Sequence, residues 1–442
     1  MSNIMTRYLN ELLVFLRKKY EDNEIVTLFA IAMSIFLAAF LILGFVTGGE
    51  TIYHMLWKDS DKTFSDFFDS IFYSNDMPYT KWQVIYPPLV TVFYDFLGDF
   101  ITPFVNVNVS DPSHALRDSQ MGLMIYGAIT VITLGAMRIL FKRVLENDDV
   151  LTKTIFILIV FSYPVIYAIE RGNNILIAML FSLLFLILYN SENRRIRYLS
   201  YVFLSLAAGF KIYPLILGLL ILREKRYKEA IVCALIGTAL LLLPFILTDG
   251  NLFILIENIF SYSKDETPFG FINIDQFIRV MLNQFLMVRT IDIIIYLVYA
   301  AMYAFVLYIV LINRDIPRWK IIALLCCAII LGPGVGTQYL FVYMLIPLFF
   351  FLRDERNLST WNKFYLICFV VVMALIPGAY TADGAWTVVI SSVKSVFIFL
   401  MMAGLVYEGT IGHLLRNRSE GVPTSRKEDG ISVLLLRSRW RR

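Results

Sequence analysis

Charge is scarce in this chain. Only 17% of its 442 residues are Asp, Glu, Lys or Arg, against roughly 25% in soluble domains, so most of its surface is not built to face water. Cysteine and histidine are equally thin, at four and three. Cys233, Cys326, Cys327 and Cys368 all fall inside apolar runs, which is neither a disulfide framework nor a zinc spacing. The histidines lie far apart, which argues against a His-based metal site. No nucleophile elbow, phosphate-binding Gly-rich loop or dinucleotide fingerprint occurs, and the opening residues do not read as a cleavable signal peptide. The net charge of +4 sits in short basic clusters and forms no face for nucleic acid. No cofactor or metal is expected from these residues.

Apolar residues, by contrast, are abundant: 58% are hydrophobic, 15% aromatic, and the mean hydropathy is +0.69. Runs of about 20 apolar residues recur from end to end, the length a bilayer demands. The expected fold is therefore an all-α polytopic membrane protein, with about 10–12 transmembrane helices plus re-entrant or half-membrane elements.

Basic clusters orient the spans. Residues 1–24 carry Leu9, Leu12, Leu13 and Leu16 at helical spacing against Arg7, Arg17, Lys18 and Lys19; they read as an amphipathic surface helix or as a polar lead-in on the cytoplasmic side. The membrane domain covers 25–408, beginning with a span at 25–47. Long external segments follow at about 48–120 and 249–290. The stretch 86–104 is expected to be re-entrant or interfacial, with proline in its first turn. Spans at 121–141, 151–169 and 175–190 come next. Basic clusters flank 198–222 on both sides, which makes it a broken hairpin hinged at Gly209-Phe210-Lys211-Ile212-Tyr213-Pro214. Limbs of about 11 residues would each rise about 16 Å. Further spans at 229–248 and 291–312 and four shorter ones up to 408 complete the domain. The tail, 409–442, is basic and cytoplasmic.

An ionisable group at membrane depth costs several kcal/mol unless paired or wet, so each is a candidate site. Asp66 and Asp69 stand three apart in TFSDFFDSIFYSND and share a face if 64–73 is helical; ordinary loop charge is the plainer reading. The triplet Asp59-Ser60-Asp61 matches a nucleotide-sugar motif too cheaply to count. In Glu170-Arg171-Gly172-Asn173-Asn174 the arginine can fork onto a phosphate, or Glu170 can simply neutralise it. Lys211 sits at the hairpin hinge, where a helix N-terminus at Pro214 would help it hold an anion, unless it snorkels to headgroups. Gly332, Gly334 and Gly336 form either an anion nest or a break between spans. A carboxylate that deprotonates a hydroxyl and cations that hold a phosphate leaving group belong to one reaction.

The order of the motifs is also informative. Ser65-Asp66-Phe67-Phe68, Met77-Pro78-Tyr79, Ile85-Tyr86-Pro87-Pro88-Leu89, Arg171-Gly172-Asn173-Asn174, the Gly209–Pro214 hinge and Thr337-Gln338-Tyr339-Leu340 follow one another. Over roughly residues 25–405 the chain resembles glycosyltransferase family 87, the polyprenol-phosphate-mannose-dependent mannosyltransferases and their relatives, of the C-type membrane fold. The resemblance implies transfer of a single sugar, mannose or another hexose, from a polyprenyl-phosphate carrier to a glycolipid or glycan acceptor on the outer side of the cell membrane, with inversion and without a cofactor. It implies an external-loop Asp as base: Asp66 by position, with Asp69, where relatives carry Tyr or Asn, as second choice. Arg171 and then Lys211 are the implied phosphate-binding cations, with Glu170, Asn173, Asn174, Tyr79, Tyr86, Gln338 and Tyr339 around the substrates. The turn departs from the family's usual Gly-Gln-x-Asn. Two other functions share these features: a transporter or flippase of a lipid-linked saccharide, and a polysaccharide polymerase or ligase.

Overall fold

In the computed structural model the described residues are 23–55, 62–105, 109, 111–265, 272–333, 337–376 and 385–412. The expected surface helix before residue 23, the Asp59-Ser60-Asp61 triplet, Gly334, Gly336 and nearly all of the tail lie outside them. Every regular element among the described residues is helical. The chain is an all-α, multi-pass membrane protein.

Among the described residues five helices combine the length and apolarity of a span: Glu24–Val46, Gln120–Leu145, Tyr227–Leu247, Val288–Leu311 and Ser392–Ile411. A sixth is counted if Val150–Val160 and Tyr163–Arg171, bent by 47°, act as one. The bend falls just before Pro164, which has no N–H to give and clashes with the preceding turn, so it starts a new helix. The expected 10–12 helices also take in apolar runs below this length among the described residues. The other apolar runs are short, such as Ile175–Leu188 and Thr360–Met373, or lie inside the protein. Residues 321–332 and 340–352 are buried throughout, so Arg318–Leu331 and Leu345–Asp354 form the centre of the core. Gln120–Leu145 and Tyr227–Leu247 bury only 17% and 6% of their most apolar windows, leaving the rest for lipid.

The expected broken hairpin is present, with unequal limbs. Helix Arg194–Phe210 has 17 residues, about 25 Å of rise. Lys211 then adopts an extended backbone, and the chain returns as a 3-10 turn over Tyr213–Gly218 and a short helix, Leu219–Arg223. The two ends meet: Arg197 forks onto Glu229 at 2.7 and 3.0 Å, and Arg226 donates to the Tyr189 carbonyl. The longer first limb is what carries Lys211 deep into the fold.

One buried charge carried no motif. Lys394 is fully buried, and its ammonium donates to the carbonyls of Val371, Val372 and Ala374 at 2.7–3.0 Å. Those are orphan acceptors at the end of helix Thr360–Met373, so the lysine acts as a C-cap supplied by another helix.

Candidate active site

The acidic segment folds as helix Ser65–Ser74. Its apolar positions Phe67, Phe68 and Ile71 are buried against Val90, Tyr94, Leu97 and Ile101 of the proline-initiated helix Pro88–Ile101 and against Tyr126. That packing turns Asp66 and Asp69 together onto the opposite face, where both line the same space. Buried apolar residues and carboxylates therefore serve different faces of one short helix.

A left-handed turn locks this helix in place. Phe64, at φ 59°, precedes it and donates its N–H to the Glu170 carbonyl at 2.7 Å. Opposite stands Gly172, also left-handed at φ 69°. The result is a fixed carboxylate: Arg171 donates to one Asp66 oxygen and Asn173 to the other, each at 2.6 Å. Arg171 also donates to the Lys62 carbonyl at 3.1 Å, while Asn173 caps the Ile175 N–H. The ion pair is largely desolvated, with side chains 15% and 16% exposed, so it fixes geometry more firmly than a surface pair.

Gly172 permits this approach. A Cβ there would lie 2.8 Å from the Phe64 carbonyl oxygen and 2.9 Å from the Phe67 Cβ, in a backbone region L-residues avoid. Gly172→Ala is expected to lower stability by about 1–3 kcal/mol and to cut activity by loosening Asp66. Thermal unfolding alongside sugar-transfer assays checks this; wild-type values for both would show that the turn has room to give.

Asp66, Arg171 and Lys211 line one cavity of about 660 Å³. The Lys211 ammonium lies 4.3 Å from the centre of the Tyr86 ring and 5.3 Å from that of Tyr339, a cation–π cradle. It makes no salt bridge with a carboxylate among the described residues. Gln338 lines the same cavity and accepts a hydrogen bond from Tyr167 at 3.1 Å. Apolar side chains, among them Ile212, Ile216, Leu255 and Ile329, complete the lining. A second cavity, about 460 Å³, shares the two aspartates with the first and is also lined by Tyr73, Trp82, Gln83, Tyr94 and Asn258. Burial pushes the Asp69 carboxyl above the usual carboxylate range, against the lowering pull of the Ser113 hydroxyl and with the Asp66 charge raising it further.

The structure thus gathers Asp66, Asp69, Arg171, Lys211, Tyr86, Gln338 and Tyr339 around one space, with Asn173 bonded to Asp66 from behind. Three expected substrate contacts lie elsewhere. Glu170 and Asn174 are buried and line neither large cavity. Tyr79 is buried too: its hydroxyl donates to the Tyr86 carbonyl at 2.9 Å, and its N–H bonds Asp249 at 3.1 Å. It holds the wall and does not form it, because Gly250 packs flat on its ring. Asp249 and Asn258 together clasp the 77–84 loop. Sequence reading missed Tyr73 and Asn258. Tyr73 carried a signal, since it lies four residues beyond Asp69 on the same helix face; Asn258 arrives from a distant segment and carried none. Among the described residues no group of three or more His, Cys, Asp or Glu side chains comes together.

The model of glycosyltransferase family 87 matches residues 84–333. That stretch includes Tyr86, Arg171, Asn173 and Lys211 and begins after the two aspartates. No curated protein and no solved structure matches the chain. More than half of the sequence falls within the matched stretch, and the chain belongs to glycosyltransferase family 87, which makes it a membrane glycosyltransferase.

Proposed function

We propose that this enzyme moves a single hexose, mannose or a close relative, from a polyprenyl phosphate to an acceptor hydroxyl, with inversion and with Asp66 as general base. The observation that carries this reading is the shared cavity: a fixed carboxylate, a cation with no carboxylate partner among the described residues, and several apolar side chains line one space. A sugar linked through phosphate to an isoprenoid has that set of chemistries. The basic clusters support termini on the cytoplasmic side and this cavity on the outer side.

The atoms balance as follows. The acceptor oxygen attacks the anomeric carbon from the face opposite the phosphate, and its proton passes to an Asp66 oxygen. The bond from that carbon to the phosphate oxygen breaks, and polyprenyl phosphate leaves with the electron pair. Lys211 is placed to counter the charge that develops there. Arg171 occupies one Asp66 oxygen and Asn173 the other, yet each retains a lone-pair direction, so both are better suited to aiming the base than to clamping the phosphate. The geometry therefore favours Lys211 ahead of Arg171 as the phosphate cation, the reverse of the order implied by the resemblance. An attacking hydroxyl becomes acidic as its new bond forms, so a carboxylate suffices to take its proton.

The test uses the full chain in lipid nanodiscs with tritiated mannosyl-phosphoryl-polyprenol and membrane glycolipids. A labelled product with a new glycosidic bond of inverted configuration is expected. Label that crosses a vesicle bilayer on its intact carrier, with no new bond, would establish the flippase reading instead.

A further inference from the structure

We infer that the cavity of about 460 Å³ is the acceptor chamber, and that its ligand is a saccharide lying against the Tyr73–Trp82 wall with one hydroxyl on Asp69. The inference rests on the proposed transfer reaction and specifies its second substrate.

Three observations converge on it. The two cavities share only Asp66, Asp69, Ile85 and Tyr86, whereas Lys211 and Arg171 belong to the first alone. Inversion requires the acceptor to approach the anomeric carbon from the side opposite the leaving phosphate, with the base beside the attacking hydroxyl, so the chamber without a cation in its lining falls to the acceptor. Its lining also suits a sugar. The Tyr73 and Trp82 rings lie stacked at 4.9 Å, an apolar plate of the kind that receives the C–H face of a pyranose. Finally, Asp69 stands one turn beyond Asp66 on the same face, lines both cavities, and has its carboxyl raised above the usual range by burial. Its oxygens can hold a sugar hydroxyl by hydrogen bonding without taking its proton. Asp69 is thus a positioning residue, and Asp66 the base.

The experiment measures transfer by the full-length protein in nanodiscs, with mannosyl-phosphoryl-polyprenol as donor. Octyl α-mannoside, octyl β-glucoside and octyl β-galactoside serve as acceptors, with octanol as the sugar-free control. At least one octyl glycoside is expected to be glycosylated and octanol is not. Trp82→Ala should raise the acceptor KM on the order of tenfold while moving the donor KM less than about twofold. Trp82→Phe, which keeps a ring on the wall, should recover most of that loss and shows that the fold is intact. Asp69→Asn, an isostere of the protonated acid, should keep the acceptor KM within about threefold, whereas Asp69→Ala raises it about tenfold. Equal use of octanol, an unmoved acceptor KM in Trp82→Ala, or hydrolysis of donor without transfer to any glycoside overturns the saccharide chamber. No consumption of donor by the wild-type protein defeats the proposed function itself, a distinguishable result.

Discussion

Asp66→Asn is expected to lower sugar transfer by about 10²–10⁴-fold, the range a positioned general base contributes, while leaving the protein folded. Asparagine keeps an oxygen for Arg171 or Asn173, and the helix that carries residue 66 is held by Phe67, Phe68 and Ile71 rather than by the carboxylate. The unfolding temperature of the purified variant should drop, because Arg171 loses its charge partner, yet the transition should remain cooperative, and with the phosphate placed against Lys211 as proposed the donor KM should change little. The informative contrast is Asp69→Asn, whose turnover should remain within a few fold of wild type. Near-normal transfer by Asp66→Asn, or collapse of turnover in Asp69→Asn alone, would move the base to Asp69. That outcome would also require Arg171 and Asn173 to serve some purpose other than aiming a base.

Lys211→Met should produce the second large effect, a fall of about 10²–10³-fold in kcat/KM, with part of the loss appearing as a raised donor KM. The ammonium is buried between Tyr86 and Tyr339 without a carboxylate bonded to it. Such a charge costs folding free energy, and methionine fills the same space without that cost. The variant is therefore expected to unfold at the same temperature as wild type or higher while losing activity. Stability that is kept or gained as function falls is the mark of a group retained for chemistry. If Lys211→Met transferred sugar at the wild-type rate, the phosphate would have to be held by Arg171, and Arg171→Met would then show the larger donor KM. Arg171→Met should otherwise act like a weaker Asp66 variant, because it loosens the base.

The membrane fold was legible because it depends on composition and period alone. Apolar runs of bilayer length, basic clusters between them and prolines at 88 and 214 marked the Pro88–Ile101 helix and the Lys211 hinge. The spacing of Asp66 and Asp69 marked the short helix Ser65–Ser74. The number of full-length spans was less legible. An apolar run shows that a segment avoids water; it does not show whether lipid or protein replaces it, and in Arg318–Leu331 and Leu345–Asp354 it is protein. Lys394 escaped notice because a single lysine in an apolar helix carries no motif, and its partners are carbonyls at the end of a different helix.

By itself the sequence determined that the chain is an all-α membrane protein, that its few ionisable groups are candidate sites, and which of them the family resemblance singles out. Only the tertiary structure decided which of those groups meet. Asp66 and Arg171 are separated by 105 residues, and they touch because two left-handed residues, Phe64 and Gly172, bring their backbones together. Lys211 reaches the same cavity because its hairpin limb is 17 residues long. Tyr79, an attractive sugar contact on paper, is buried as a brace by Asp249 and Gly250. The reason is physical: period and composition act within a few residues, whereas a site is set by close approach between distant segments, and steric fit at single positions controls that approach.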